Sequence, residues 1–148
     1  MTEWHLLTYG VLKVVAYSAV CLLGLRWVGG RERWLLPMAL ALGLLRAGMG
    51  LAFGVGIFFA SAWVVAQTSY EPSGQALAYV TVYVPVRWVE WGLIAMLLTR
   101  DARSLRGFVL GATARDRLWR LCGIAVSCCA DIPVLLCMGG LPVGRMMC

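Results

Sequence analysis

Trp34 to Ala66 reads WLLPMALALGLLRAGMGLAFGVGIFFASAWVVA, and Arg46 is the single ionisable side chain that interrupts it. Wound as a helix at 1.5 Å per residue, this run is about 50 Å long, against the ~30 Å of a bilayer's hydrocarbon core. It is long enough to span with tilt or to extend past one surface. A soluble helix would carry a polar face at every turn, and this one does not.

Outward from it, three more apolar runs are visible. They span Leu6 to Leu25, Ala76 to Thr99, and Leu118 to about Leu141. The chain is 61% hydrophobic and only 14% charged, where soluble domains average about 45–50% and about 25%. The expected fold is therefore all-α, an integral membrane bundle of four transmembrane helices over approximately 5–27, 34–66, 76–99 and 118–142. No linker or low-complexity tract divides residues 1–148, so one domain is expected. The stretch before the first run, Met1 to His5, has no lysine or arginine to form a basic n-region, and Gly29-Gly30-Arg31-Glu32 follows the run in place of a small-x-small cleavage site. It reads as a retained first helix and not as a cleavable signal.

The loops give an orientation. Arg26, Arg31 and Arg33 lie in 26–33 against Glu32, while 67–75 carries Glu71 and no base. Six arginines, Arg100, Arg103, Arg106, Arg115, Arg117 and Arg120, cluster around 100–117 against Asp101 and Asp116. Under the positive-inside rule both basic loops are cytoplasmic and both termini lie outside a cell (inner) membrane. The net charge of +6 is then mostly a topology signal, and no nucleic-acid partner is expected. Trp4, Trp63, Tyr70 and Tyr79 fall near the expected outer interface, and Trp27, Trp34 and Trp119 near the inner one. Trp88 and Trp91 depart from this belt pattern. Arg103 and Arg106, with Leu105, Phe108 and Val109, suggest a short interfacial helix attracted to anionic lipid heads.

Small residues line the second helix. Ala39, Gly43 and Ala47 repeat at spacing four, and Gly50-x-x-x-Gly54 continues the stripe. Such a surface lets another backbone approach closely, either within the bundle or as a homo-oligomer seam through Gly43, Ala47, Gly50 and Gly54. Pro85 and Pro133 sit inside the third and fourth helices, where each frees a carbonyl one turn earlier and is expected to kink the helix. Broken helices that line a polar cavity are a feature of transporters, although proline is also simply more frequent in membrane helices.

The chemistry lies in five ionisable residues within these runs: Lys13, Arg46, Arg87, Glu90 and Asp131. A charge at the bilayer centre costs at least ~2.5–3.5 kcal/mol, so each is expected to be paired, wetted or functional. All five fall in a narrow slab near mid-depth, with three bases against two acids. Tyr83, Arg87, Glu90 and Trp91 share one face of the third helix, so Arg87 can pair with Glu90 and lie against Trp91. Ser127 and Asp131 share a face of the fourth. Arg46 is expected to face Asp131 or Glu90.

The segment Arg87-Trp88-Val89-Glu90-Trp91 resembles the arginine, aromatic and carboxylate pattern on the third helix of microbial rhodopsins. There the carboxylate is the counter-ion of a retinal Schiff base. The resemblance covers five residues. This chain has four runs where that family has seven helices, and its one lysine, Lys13, lies in the first. It supplies an analogy for proton tuning by an arginine–carboxylate pair and no family assignment.

No cofactor and no metal site is expected. The weak soft-metal candidates are Cys137, Met138 and Cys148, and Cys137 and Cys148 are also compatible with a disulfide in an oxidising exterior. No C-x-x-C, H-E-x-x-H, G-x-S-x-G or P-loop motif occurs. The expected function is transport or permeation, alone or as a subunit of a membrane transport complex, through Arg46, Tyr83, Arg87, Glu90, Trp91, Ser127, Asp131 and Lys13. The alternative is a structural or assembly subunit whose buried charges only specify helix pairing. A further alternative is a membrane enzyme for an anionic lipid, with arginines on the phosphate and Asp131 or Glu90 as base.

Overall fold

The computed structural model describes residues 3–30, 33–68, 72–99 and 101–138, with side chains described for 7–30, 33–68, 73–74, 76–99 and 102–131. All regular structure among them is helical. Helix α1 is Glu3–Trp27, α2 is Leu35–Gln67 and α3 is Pro72–Ala78. A π-helical turn, Tyr79–Tyr83, joins α3 without a break to α4, Val84–Leu98. A 3-10 turn, Asp101–Arg103, leads to the short α5, Leu105–Leu110, and then to α6, Ala114–Met138. Among the described residues, three stretches are long and apolar enough to cross a membrane: Leu7–Trp27, Leu35–Gln67 and Ala76–Leu98. The end of the expected fourth run, beyond Met138, lies outside the described residues.

The interior holds an apolar core, with Tyr17, Leu25, Ile94 and Trp119 buried in it, but the outer surface and the placing of charge are unlike a soluble globule's. Leu7, Val11 and Val15 on α1, and Leu36, Leu44, Leu51, Phe59 and Trp63 on α2, face outward. Lys13, Arg46, Arg87, Glu90 and Asp131 face inward, none more than 7% exposed. In water this arrangement would expose a large apolar surface while stripping hydration from five charges. Against lipid both choices are favourable, because acyl chains solvate leucine and cannot solvate a guanidinium.

Helix α1 lies along α2 and α6, α4 packs on both α2 and α6, and α5 rests on α4. The small-residue stripe of α2 points inward: Ala39, Gly43, Gly50 and Gly54 are buried and Ala47 is half-buried. At Gly43 the stripe is filled by this chain itself, since a Cβ there would run into Ser18 of α1. The same device recurs where the stripe gives no hint of it. The Trp119 ring of α6 lies on Gly24 of α1, and the Trp91 ring of α4 lies on Gly123 of α6. Trp119 Nε1 donates to the Val20 carbonyl at 2.8 Å, which fixes the ring over its glycine. A Cβ at Gly24 would stand 2.6 Å from that indole, whereas one at Gly10 meets nothing within 4 Å. Gly24→Ala should therefore lose about 1–3 kcal/mol and Gly10→Ala almost nothing in detergent unfolding titrations. Equal effects would contradict the packing.

Pro85 occupies the second position of α4, directly after the π-helical turn. It offers no amide hydrogen to the Thr81 carbonyl, and Thr81 lies within that turn, so the backbone widens where the bond is missing. Thr81 Oγ1 donates back to the Leu77 carbonyl at 2.7 Å. At Pro133, α6 continues as helix, and the side chain there lies outside those described.

The short helix expected around Arg103 and Arg106 forms as α5, and it folds back along α4. Ser104 caps it by accepting from Gly107 N at 3.0 Å. Gly92 of α4 leaves room for the Phe108 ring, which a Cβ would approach to 3.0 Å. Gly111, at φ +80°, turns the chain toward α6 through a conformation that favours glycine. Helix α6 then starts at Ala114 and not at 118, because Thr113 Oγ1 accepts from Asp116 N at 3.1 Å and Asp116 Oδ2 accepts from Ala112 N at 2.8 Å. Trp119 is consequently in the core and not in an interfacial belt.

Candidate functional site

The five interior charges Lys13, Arg46, Arg87, Glu90 and Asp131 form two groups. In the first, Asp131 of α6 is the hub. Lys13 Nζ of α1 lies 2.9 Å from Oδ1, and Arg87 Nη2 of α4 pairs with Oδ2. The Tyr9 hydroxyl donates to Oδ1 at 2.8 Å, and the Lys13 ammonium sits 4.5 Å above the Tyr9 ring. Tyr9, Lys13 and Tyr17 follow one another at spacing four on α1, so one helical face delivers both aromatics and the cation.

In the second group, Arg46 Nη2 of α2 lies 2.5 Å from Glu90 Oε2 of α4. The guanidinium carbon stands 4.9 Å from the Tyr17 ring centre and 5.3 Å from that of Trp91. Tyr17 meets Trp91 edge-on at 6.0 Å, and Trp91 meets Trp119 edge-on at 5.3 Å. Trp91 Nε1 points at Ser127 Oγ, 3.4 Å away, and Ser127 donates to the Gly123 carbonyl at 2.8 Å. Aromatic faces of this kind favour a cation that has lost its water. Tyr83 is fully buried one turn above Arg87 and stacks on Tyr79 at 4.9 Å.

Lys13, Arg46, Tyr83, Arg87, Glu90, Trp91, Ser127 and Asp131 are thus all interior. Arg46 meets Glu90, one of its two expected partners. Arg87 does not take Glu90 on its own helix but reaches across to Asp131 of α6. The i,i+3 neighbour is already held by Arg46. Tyr9 and Tyr17 complete the site, and their spacing of four from Lys13 is the sequence signal that finds them.

Arg120 and Asp116, which sequence position alone places among the loop charges, belong to the interior. Both are buried and joined by two bonds, Nε to Oδ1 at 2.9 Å and Nη2 to Oδ2 at 2.8 Å. Arg120 also donates to the carbonyls of Phe108 at 2.6 Å and Gly107 at 3.0 Å, and its guanidinium lies 5.4 Å from the Trp88 ring. Trp88 Nε1 donates to the Val109 carbonyl at 2.8 Å. Three consecutive carbonyls of α5 that lack helical partners are thereby satisfied. This explains why Trp88 stands apart from the belt residues: it anchors α5.

The first group holds two cations on one carboxylate, and the second is neutral. Arg46 Nε, Arg87 Nε and Glu90 Oε1 are buried without a hydrogen-bond partner. A buried donor or acceptor left this way costs about 1–3 kcal/mol, more when charged. The cysteines Cys21, Cys122, Cys128 and Cys129 are free thiols, while Cys137, Met138 and Cys148, as side chains, lie outside the described residues. No protein-family model, curated protein or solved structure matches this chain.

Proposed function

We propose that this chain is a small polytopic membrane protein of the transport or permeation class, or a subunit of a membrane transport complex, acting through Arg46, Arg87, Glu90 and Asp131. The reading takes α6 and the residues after it as the fourth span, both termini outside, loops 26–33 and 100–117 cytoplasmic, and anionic lipid along the inner face. A homo-oligomer through Gly43, Ala47, Gly50 and Gly54 is not carried forward, because that stripe turns inward and Gly43 is packed against Ser18 of the same chain. One observation carries the permeation reading: the interior cluster holds an excess of positive charge and leaves Arg46 Nε, Arg87 Nε and Glu90 Oε1 unsatisfied. A network that served pairing alone gains nothing from open valences.

The second reading, a structural or assembly subunit, is favoured by a different observation. Each carboxylate of the cluster has a cation in contact, and all five charges are nearly sealed from solvent. The two separate on Glu90→Gln, which keeps the shape and removes the charge. Reconstituted in liposomes, the variant should change ion or proton flux per folded molecule by about tenfold, a barrier difference of ~1.4 kcal/mol, or shift its pH dependence. Unchanged flux with altered stability alone would replace the permeation reading with the assembly one.

A further inference from the structure

We infer that the Lys13–Asp131–Arg87 triad is a binding site for one small monovalent anion. The inference deepens the permeation reading by naming the class of its cargo, and it rests on that reading for any role in flux.

The argument begins with charge. Arg46 and Glu90 neutralise each other. Lys13 and Arg87 both touch Asp131, so the three groups together carry one net positive charge. Lys13 and Arg87 are 7% and 3% exposed, so bulk water does not supply the missing solvation. An excess charge this far from water is strongly unfavourable until a counter-charge joins it. A monovalent anion balances the triad, whereas a divalent one overshoots by as much as the empty site is unbalanced.

The donors agree with the charge. Arg87 spends Nη2 on Asp131, and its Nε–H, fixed in the same plane, has no acceptor. Lys13 gives one contact to Asp131 Oδ1 and carries three donors in all. Tyr9 donates its hydroxyl to Asp131 and so takes up acceptor capacity on the carboxylate that the cations would otherwise fill. One guanidinium N–H and the free ammonium hydrogens are what a halide-like ion accepts.

The test uses the full chain in zwitterionic nanodiscs, with bromide as probe, at constant ionic strength against gluconate and against sulfate. Bromide should raise the melting temperature by at least about 3 °C at saturation, with sulfate giving less than a third of that shift. Lys13→Met leaves a neutral Arg87–Asp131 pair, so it should fold at least as stably in gluconate and lose the bromide response. Lys13→Arg, which keeps the charge, should retain it to within threefold in apparent affinity. The inference is overturned if bromide and sulfate act alike, if bromide does nothing, or if Lys13→Met responds as the parent does. Bromide binding without bromide flux in liposomes would keep the site and remove the permeation reading. Flux without bromide-specific binding would do the opposite.

Discussion

Asp131→Ala should cost about 3–5 kcal/mol, enough to abolish most folded protein in mild detergent. The carboxylate is 1% exposed and receives Lys13, Arg87 and Tyr9 together. Its loss strands two cations and a hydroxyl among side chains almost closed to bulk solvent. The large effect comes from what stays behind and not from the pair's intrinsic strength, because a buried ion pair can be worth little net. The second substitution therefore matters: Lys13→Met in the Asp131→Ala background should recover part of the stability by removing one stranded charge. Unfolding titrations in mixed micelles measure both. A cost below about 1 kcal/mol for Asp131→Ala would mean that the aspartate faces solvent and that the hub does not exist.

Much of this architecture is written in residue type and run length. Trp34 to Ala66 demands lipid, and the five interrupting charges demand an interior. That Arg46 meets a carboxylate follows from the rule that a guanidinium in hydrocarbon finds one, although the rule leaves Glu90 and Asp131 equal. The choice made by Arg87 does not follow. Its own helix offers Glu90 three residues on, but Asp131 wins through the crossing of α4 against α6, which no local spacing encodes. Nor does the backfolding of α5. Arg120 and Asp116 are four apart, the signature of a helical pair, but their burial depends on α5 bringing Gly107, Phe108 and Val109 onto α4. Counted as topology signals they look like solvated loop charges. Trp119 is misread for the same reason: an amphipathic ring suits an interface equally well, and only Gly24 opposite reveals the core socket.

The two interior clusters divide the chain into a part that is closed and a part that is open. Arg120, Asp116 and Trp88 complete their own hydrogen bonds and hold α5 in place. The group around Asp131 and Glu90 does not, since Arg46 Nε, Arg87 Nε and Glu90 Oε1 lack partners.

The central claim is that charged side chains hold these helices together by turning to each other, away from lipid. Arg46 and Glu90 test it most directly, since they join α2 to α4 with aromatic rings against the guanidinium. Arg46→Met leaves Glu90 as a buried anion, and Glu90→Met leaves Arg46 as a buried cation. Each single change should lose about 3–5 kcal/mol. The double variant removes both charges and replaces them with apolar volume, so it should fold within about 1 kcal/mol of the parent. The decisive measurement is the double-mutant cycle in unfolding free energy. The losses just given imply a coupling energy of at least about 5 kcal/mol as the expected result. Additive losses, or single variants as stable as the parent, would contradict it.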